Sequence, residues 1–115
     1  MARASLSDTQ WEFLQDIAKL ILHASFLGVK LTGGELYRPE RMQKYYVKIG
    51  KSTTMKSQHL KRLACDFNFF VDGDLIWEHE LITELGEYWE SLHPKNKWGG
   101  HWKKFRDTPH FQRKR

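Results

Sequence analysis

RLACDFNFFVDGDLIW, residues 62–77, reads as two strands around a turn at Asp72-Gly73. Aromatic and branched residues alternate with polar ones on either side of an Asp-Gly pair, which is a strong short-range hairpin signal. In the first of these strands Ala64 and Asp66 share one face, and Cys65 and Phe67 share the other. Cys65 is therefore expected to point into the core as a small hydrophobe. Asp66 then lies on the opposite face of the sheet. An ionised carboxylate in an apolar layer is costly unless it has a strong partner. A metal ion is one such partner.

The elements around this hairpin follow from spacing. Upstream, Ser7-Asp8-Thr9-Gln10 reads as a capping box with Ser7 as N-cap, and Leu6 and Trp11 stand at hydrophobic-staple positions. Trp11, Leu14, Ile17, Ala18, Ile21 and Ala24 form an apolar stripe at helical spacing, and Phe13, Leu20 and Leu27 form a second row. The pattern predicts a helix over Asp8 to Leu27, buried on more than one side, with Gly28 closing it. Val29 to Leu36 alternates like a short strand. Pro39 is placed to open a second helix at its first position, with Met42, Tyr45, Tyr46 and Ile49 as its apolar face and Gly50 at its end. Residues 51–57 read as a polar loop. Residues 79–93 predict a third helix with Leu81, Leu85, Tyr88, Trp89 and Leu92 on one side, and residues 96–112 a glycine-broken aromatic segment ending near a short strand. The order predicts an α+β fold: a small antiparallel sheet with about three helices packed around it, in a single domain over residues 1–115.

The chain has one cysteine, so an intrachain disulfide and a cysteine-rich zinc knuckle are both excluded. Any metal must be held by His and Asp or Glu. The net charge of +5 suits nucleic acid, anionic cell-wall polymers or anionic membranes. The start lacks a signal-peptide core, and the apolar run at residues 17–29 is too short and too interrupted to span a bilayer. The expectation is a cytoplasmic protein with no membrane span.

His59 falls at a loop-to-strand junction, seven residues before Asp66. Asp107 and His110 lie three apart in a Pro-containing turn. His59, Asp66 and His110 offer two neutral nitrogens and a carboxylate oxygen, which suits Zn²⁺ with a fourth position left for water. A carboxylate beside a ligand histidine, as Asp107 is, can accept a proton from that water. With six histidines in 115 residues, a chance His/Asp pairing stands beside the metal reading. His101 is a second histidine in the aromatic segment; His23, His79 and His93 read as surface, core-edge or helix-end residues.

Two separated motifs are more specific. S-x-H-x-x-x-x-A-x-D (Ser57, His59, Ala64, Asp66) is followed by W-G-G-x-W-x-x-F-x-D-x-x-H-F (Trp98 to Phe111), and YRPERMQ precedes both. Together they resemble the D-alanyl-D-alanine carboxypeptidase family of zinc peptidases, which includes L-alanyl-D-glutamate endopeptidases of phage endolysins. The resemblance implies a Hedgehog/D-Ala-D-Ala-peptidase-like fold, with one Zn²⁺ on His59, Asp66 and His110 and with Asp107 as the catalytic carboxylate. It makes Arg38 the residue that contacts substrate and stabilises the oxyanion. Gln43, Ser57 and Trp102 are candidate substrate contacts, and Trp98 and Phe105 either line the cleft or pack over the sheet. One departure is visible: Arg62 stands where the family has glycine, an expected influence on the cleft mouth. The implied activity is hydrolysis of bacterial peptidoglycan stem peptides by a monomeric phage or prophage lysis enzyme, acting on the wall after release. In that reading the basic charge, including the terminal run Arg113 to Arg115, serves attraction to an anionic wall. A non-catalytic basic domain binding nucleic acid or cell wall is the alternative.

Overall fold

A computed structural model describes residues 5–52, 57–104 and 106–115. Phe105 and most of the loop expected at 51–57 lie outside the described residues.

Helix α1 runs Leu6–Phe26. Its cap is Ser5, two residues before the expected Ser7: the Ser5 backbone is extended and its hydroxyl accepts the Asp8 N–H at 3.1 Å. Of the two apolar rows, the one through Phe13 and Leu20, with Ile17 and Ala24, enters the core. Trp11, Leu14 and Ile21 face water, so the expected staple does not form. The buried row is the one that meshes with the third helix, where the Phe13 ring meets Trp89 edge-on at 5.5 Å.

Strand β1 (Lys30–Gly33) pairs antiparallel with β2 (Ala64–Val71), which turns through Asp72-Gly73 into β3 (Asp74–Ile76). Both turn residues have positive φ, 51° and 84°, the conformation of a two-residue hairpin turn whose twist matches the strands. Helix α2 spans Glu40–Lys48, with Pro39 just outside it as N-cap rather than as its first residue. A 3-10 turn covers Gln58–Lys61 and helix α3 covers Glu80–Leu92. The glycine-broken segment holds a strand that spacing did not reveal, β4 (Asn96–Trp98), before β5 (His110–Arg113). Three residues before a Gly-Gly pair are too few for alternation to register. The sheet order is β1-β2-β5-β4, with β3 also on β2, and every pairing is antiparallel. The α+β expectation therefore holds.

Phe67 and Phe69 of β2 and Phe111 of β5 meet Phe13, Leu20, Leu85 and Trp89 in the core. Alternation leaves Asp66, His110 and Gln112 on the other face. Cys65 is half-buried against the core, as expected, and its thiol is pushed up to about 12, by burial first and then by the charge of Asp66. That makes it an inert packing residue.

Arg113 departs from its expected role as surface charge. It is 3% exposed and donates to Asn96 Oδ1 at 2.6 Å and to Asp16 Oδ2 at 2.5 Å, with Glu12 at 3.5 Å. Asn96 in turn donates to Asp16 and to the Trp89 carbonyl, both at 3.1 Å. The network joins α1, α3, β4 and β5. Breaking a buried ion pair on one side strands the other charge, so Arg113→Ala is expected to cost about 3–5 kcal/mol. Denaturant titration checks this; a loss under about 1 kcal/mol would make the network dispensable.

Candidate metal centre

His59, Asp66 and His110 are brought together by three separate local devices. Ser57 caps the 3-10 turn by accepting the His59 N–H at 3.2 Å, which fixes the backbone that carries the imidazole. Asp66 projects from the middle of β2. His110 opens β5 directly across from it, the two being Cα partners in the strand register. A ligand atom from each of the three lies within 4.8 Å of the others.

A hydrogen bond assigns the tautomer of His59. His59 Nδ1 lies 2.9 Å from the Leu36 carbonyl, which can only accept, so the proton is on Nδ1 and Nε2 carries a bare lone pair. That Nε2 is buried with no hydrogen-bond partner, 3.4 Å from Asp66 Oδ1. His110 Nε2 lies 2.7 Å from Gln112 Oε1, leaving Nδ1 as the atom that faces Asp66 Oδ1 at 3.1 Å. The bare Nε2 of His59, the Asp66 carboxylate and Nδ1 of His110 thus converge on one point, where a proton on His110 Nδ1 bonds Asp66 and a divalent cation would take that proton's place. Donors about 2.0–2.1 Å from a tetrahedral zinc stand ~3.3 Å apart, close to both Asp66 distances. The residues fit a divalent metal. The supports at Leu36 and Gln112 are the kind of outer hydrogen bonds that orient ligand histidines.

Charge follows the same geometry. Burial works against the Asp66 carboxylate, yet the imidazoles of His110 and His59 hold it well below the usual carboxylate range. Burial likewise opposes charge on His110, but Asp66 and Gln112, with Asp107 further off, outweigh it and raise its pKa. Asp107 is half-buried and raised, chiefly by desolvation, with His110 acting against that shift and Asp66 adding to it.

Asp107 is fixed through its backbone. Its N–H bonds the Gly99 carbonyl at 3.0 Å, and its carbonyl accepts the His110 N–H at 3.1 Å. A Cβ on Gly99 would lie 2.3 Å from the Asp107 carbonyl oxygen, so only glycine allows this approach. Gly34 serves Asp66 similarly: its N–H bonds the Asp66 carbonyl at 2.7 Å, and a Cβ there would lie 2.8 Å from that oxygen.

Arg38 is held from both sides. Its guanidinium pairs with Glu35, donates to Gln43 Oε1 at 2.6 Å and lies 4.7 Å above the Tyr46 ring. Its N–H bonds the His59 carbonyl at 3.1 Å, and its charge reaches Asp107. Gln43 is fully buried and donates to Ser52 at 2.8 Å, so the structure places it behind Arg38 and out of reach of a substrate. Trp102 is half-buried, its ring 5.1 Å from that of His110. Trp98, by contrast, packs in the core and donates to the Thr108 carbonyl at 2.8 Å. His101 pairs with Glu90 at 2.8 Å and is no part of the cluster.

Arg62 explains itself by its backbone. It ends the 3-10 turn at φ 55°, in the left-handed region, which glycine enters without strain. Its guanidinium lies 4.4 Å above the Tyr37 ring, a cation–π contact that offsets part of the cost.

Comparison with known proteins agrees with this geometry. The profile of the D-alanyl-D-alanine carboxypeptidase family matches residues 50–113, more than half of the chain. The chain belongs to that family. The match contains all three cluster residues and Asp107, while Arg38 and Gln43 lie before it. Among solved structures, the Serratia marcescens L-Ala D-Glu endopeptidase ChiX is similar at 28% identity with a TM-score of 0.69, over 87% of this chain and 79% of that chain. No curated protein matches. Against the family pattern, the residues that spacing missed are Glu35, which clamps Arg38, and Gln112, which clamps His110. Only Gln112 left a trace, two positions after His110 on the same strand face.

Proposed function

We propose that this D-alanyl-D-alanine carboxypeptidase family member is a zinc-dependent peptidase that hydrolyses peptidoglycan stem peptides. The observation that carries the reading is the convergence of His59 Nε2, Asp66 Oδ1 and His110 Nδ1 beside a desolvated Asp107. His59, Asp66 and His110 would hold the ion. Zinc there would supply Lewis acidity, making water a nucleophile near neutral pH and polarising the scissile carbonyl. Asp107 takes a proton from the attacking water and returns one to the leaving amine, a role that its raised pKa suits. The Arg38 guanidinium opposes the negative charge that grows on the carbonyl oxygen. Glu35 and Gln43 keep it aimed, Ser57 holds the His59 turn, and Trp102 offers the peptide a flat wall beside His110.

The endopeptidase neighbour favours the L-Ala-D-Glu bond over the terminal D-Ala-D-Ala bond. The net charge of +5 suits an enzyme that meets an anionic wall, the setting of a phage or prophage lysis enzyme. A nucleic-acid-binding role would use none of these buried groups. Digestion of purified peptidoglycan, with mass analysis of the soluble products, tests the proposal. Stem peptides beginning at D-Glu are the expected product; release of D-Ala alone would move the cut to the other bond, and no release of either would sink the reading.

Gln43→Leu tests the clamp. It removes a hydrogen bond to a charged group, worth about 1.5 kcal/mol, so turnover is expected to fall roughly tenfold with zinc content unchanged. Unchanged turnover would reduce Gln43 to packing.

A further inference from the structure

Helix α1 is apolar on two opposite faces. The inner face fills the core. The outer face runs Trp11, Leu14, Ala18, Ile21, Leu22 and Phe26, recurring every three or four residues and exposed throughout. Trp11, Leu22 and Phe26 are 64%, 72% and 85% exposed. These side chains leave on the order of 600 Å² of contiguous apolar surface in water, more than scattered surface hydrophobics account for.

We infer that this face is a self-association surface on which α1 of one chain packs antiparallel against α1 of a second copy, about a two-fold axis at Ala18. The face is self-complementary. Ala18 lies midway along it, with large side chains towards both ends. An antiparallel pairing through Ala18 sets Leu14 against Leu22 of the second copy and Trp11 against Ser25 of the second copy with Phe26 next to it, and the same contacts repeat by symmetry. A small residue at the crossing point lets two helix axes reach the usual ~8–10 Å.

The area agrees. On the order of 600 Å² from each copy reaches the lower end of the ~1,200–2,000 Å² that a specific interface buries in total. Charge argues against an anionic lipid surface as the occupant. Lys19 is the one Lys or Arg of the helix, and Glu12 and Asp16 are turned to Arg113, so the helix offers no cluster of cations to anionic headgroups. The packing also spares the metal centre, because α1 covers the sheet face of Phe67, Phe69 and Phe111, while Asp66 and His110 lie on the other. A dimer replaces the monomer expected from sequence, and this inference does not depend on the proposed peptidase activity.

Sedimentation equilibrium on the full chain at micromolar concentration tests it. The expected mass is twice the 13.7 kDa of one chain. Leu22→Glu, and independently Leu14→Glu, should weaken association by roughly 30-fold or more, with circular dichroism and hydrolysis unchanged. Ala18→Cys should cross-link under mild oxidation, since a disulfide needs Cα atoms about 4.4–6.8 Å apart; the parent chain, whose Cys65 lies elsewhere, should not. A wild-type chain that stays single at ~100 μM overturns the inference. So does a dimer indifferent to both glutamates, or a single chain that binds anionic phospholipid vesicles through this face.

Discussion

His59→Ala is expected to abolish zinc binding and, with it, measurable hydrolysis. The imidazole supplies one of three convergent donors, and two donors do not make a zinc site. The wild-type chain should hold about one zinc, read by elemental analysis after loading and desalting, and the variant none. The loss should reach stability as well. His59 is 1% exposed and holds the Leu36 carbonyl, and its own carbonyl holds Arg38. Zinc should therefore raise the melting temperature of the wild type by binding the folded state alone, and leave the variant unmoved. A variant that still carried zinc would remove His59 from the ligand set.

Asp107→Asn should do the reverse: keep the metal and lose the chemistry. Asparagine preserves the shape, so the backbone contact with Gly99 survives, but its amide cannot take a proton. Turnover should fall roughly 10²–10⁴-fold, the usual worth of a positioned general base, with zinc content near that of the wild type. Asp66→Asn differs in kind, because it removes a charged ligand and should weaken metal binding. Near-normal turnover in Asp107→Asn would mean that another group moves the proton.

What was legible in the sequence was local. The hairpin was written in period-two alternation and in Asp72-Gly73, and three helices in their own spacing. The resemblance supplied the candidate site, including Arg38. What stayed hidden depends on what lies opposite. Both rows of α1 are apolar, and only the surface presented by α3 selects Phe13 over Trp11 for the core. Arg113 reads as one more cation of a basic terminus until Asp16, 97 residues earlier, is found beside it. Glu35 belongs to no pattern; its role exists only because Arg38 folds back onto it. Arg62 was read as a change at the cleft mouth, and spacing could not show that its position also takes a left-handed backbone.

The pairing of Asp66 with His110 has a bearing on folding fidelity. In the native register Cys65 stands opposite Phe111 and Asp66 opposite His110. A slip of one residue would turn Phe111 out of the core and swing His110 into it. Oil and ligand sit on alternate positions of one short strand, so a single alignment must satisfy both. Burial of Phe111 thereby proofreads the alignment of the cluster: a chain that packs correctly has already assembled its donors, and a misthreaded one announces itself through exposed aromatic surface before any ion arrives.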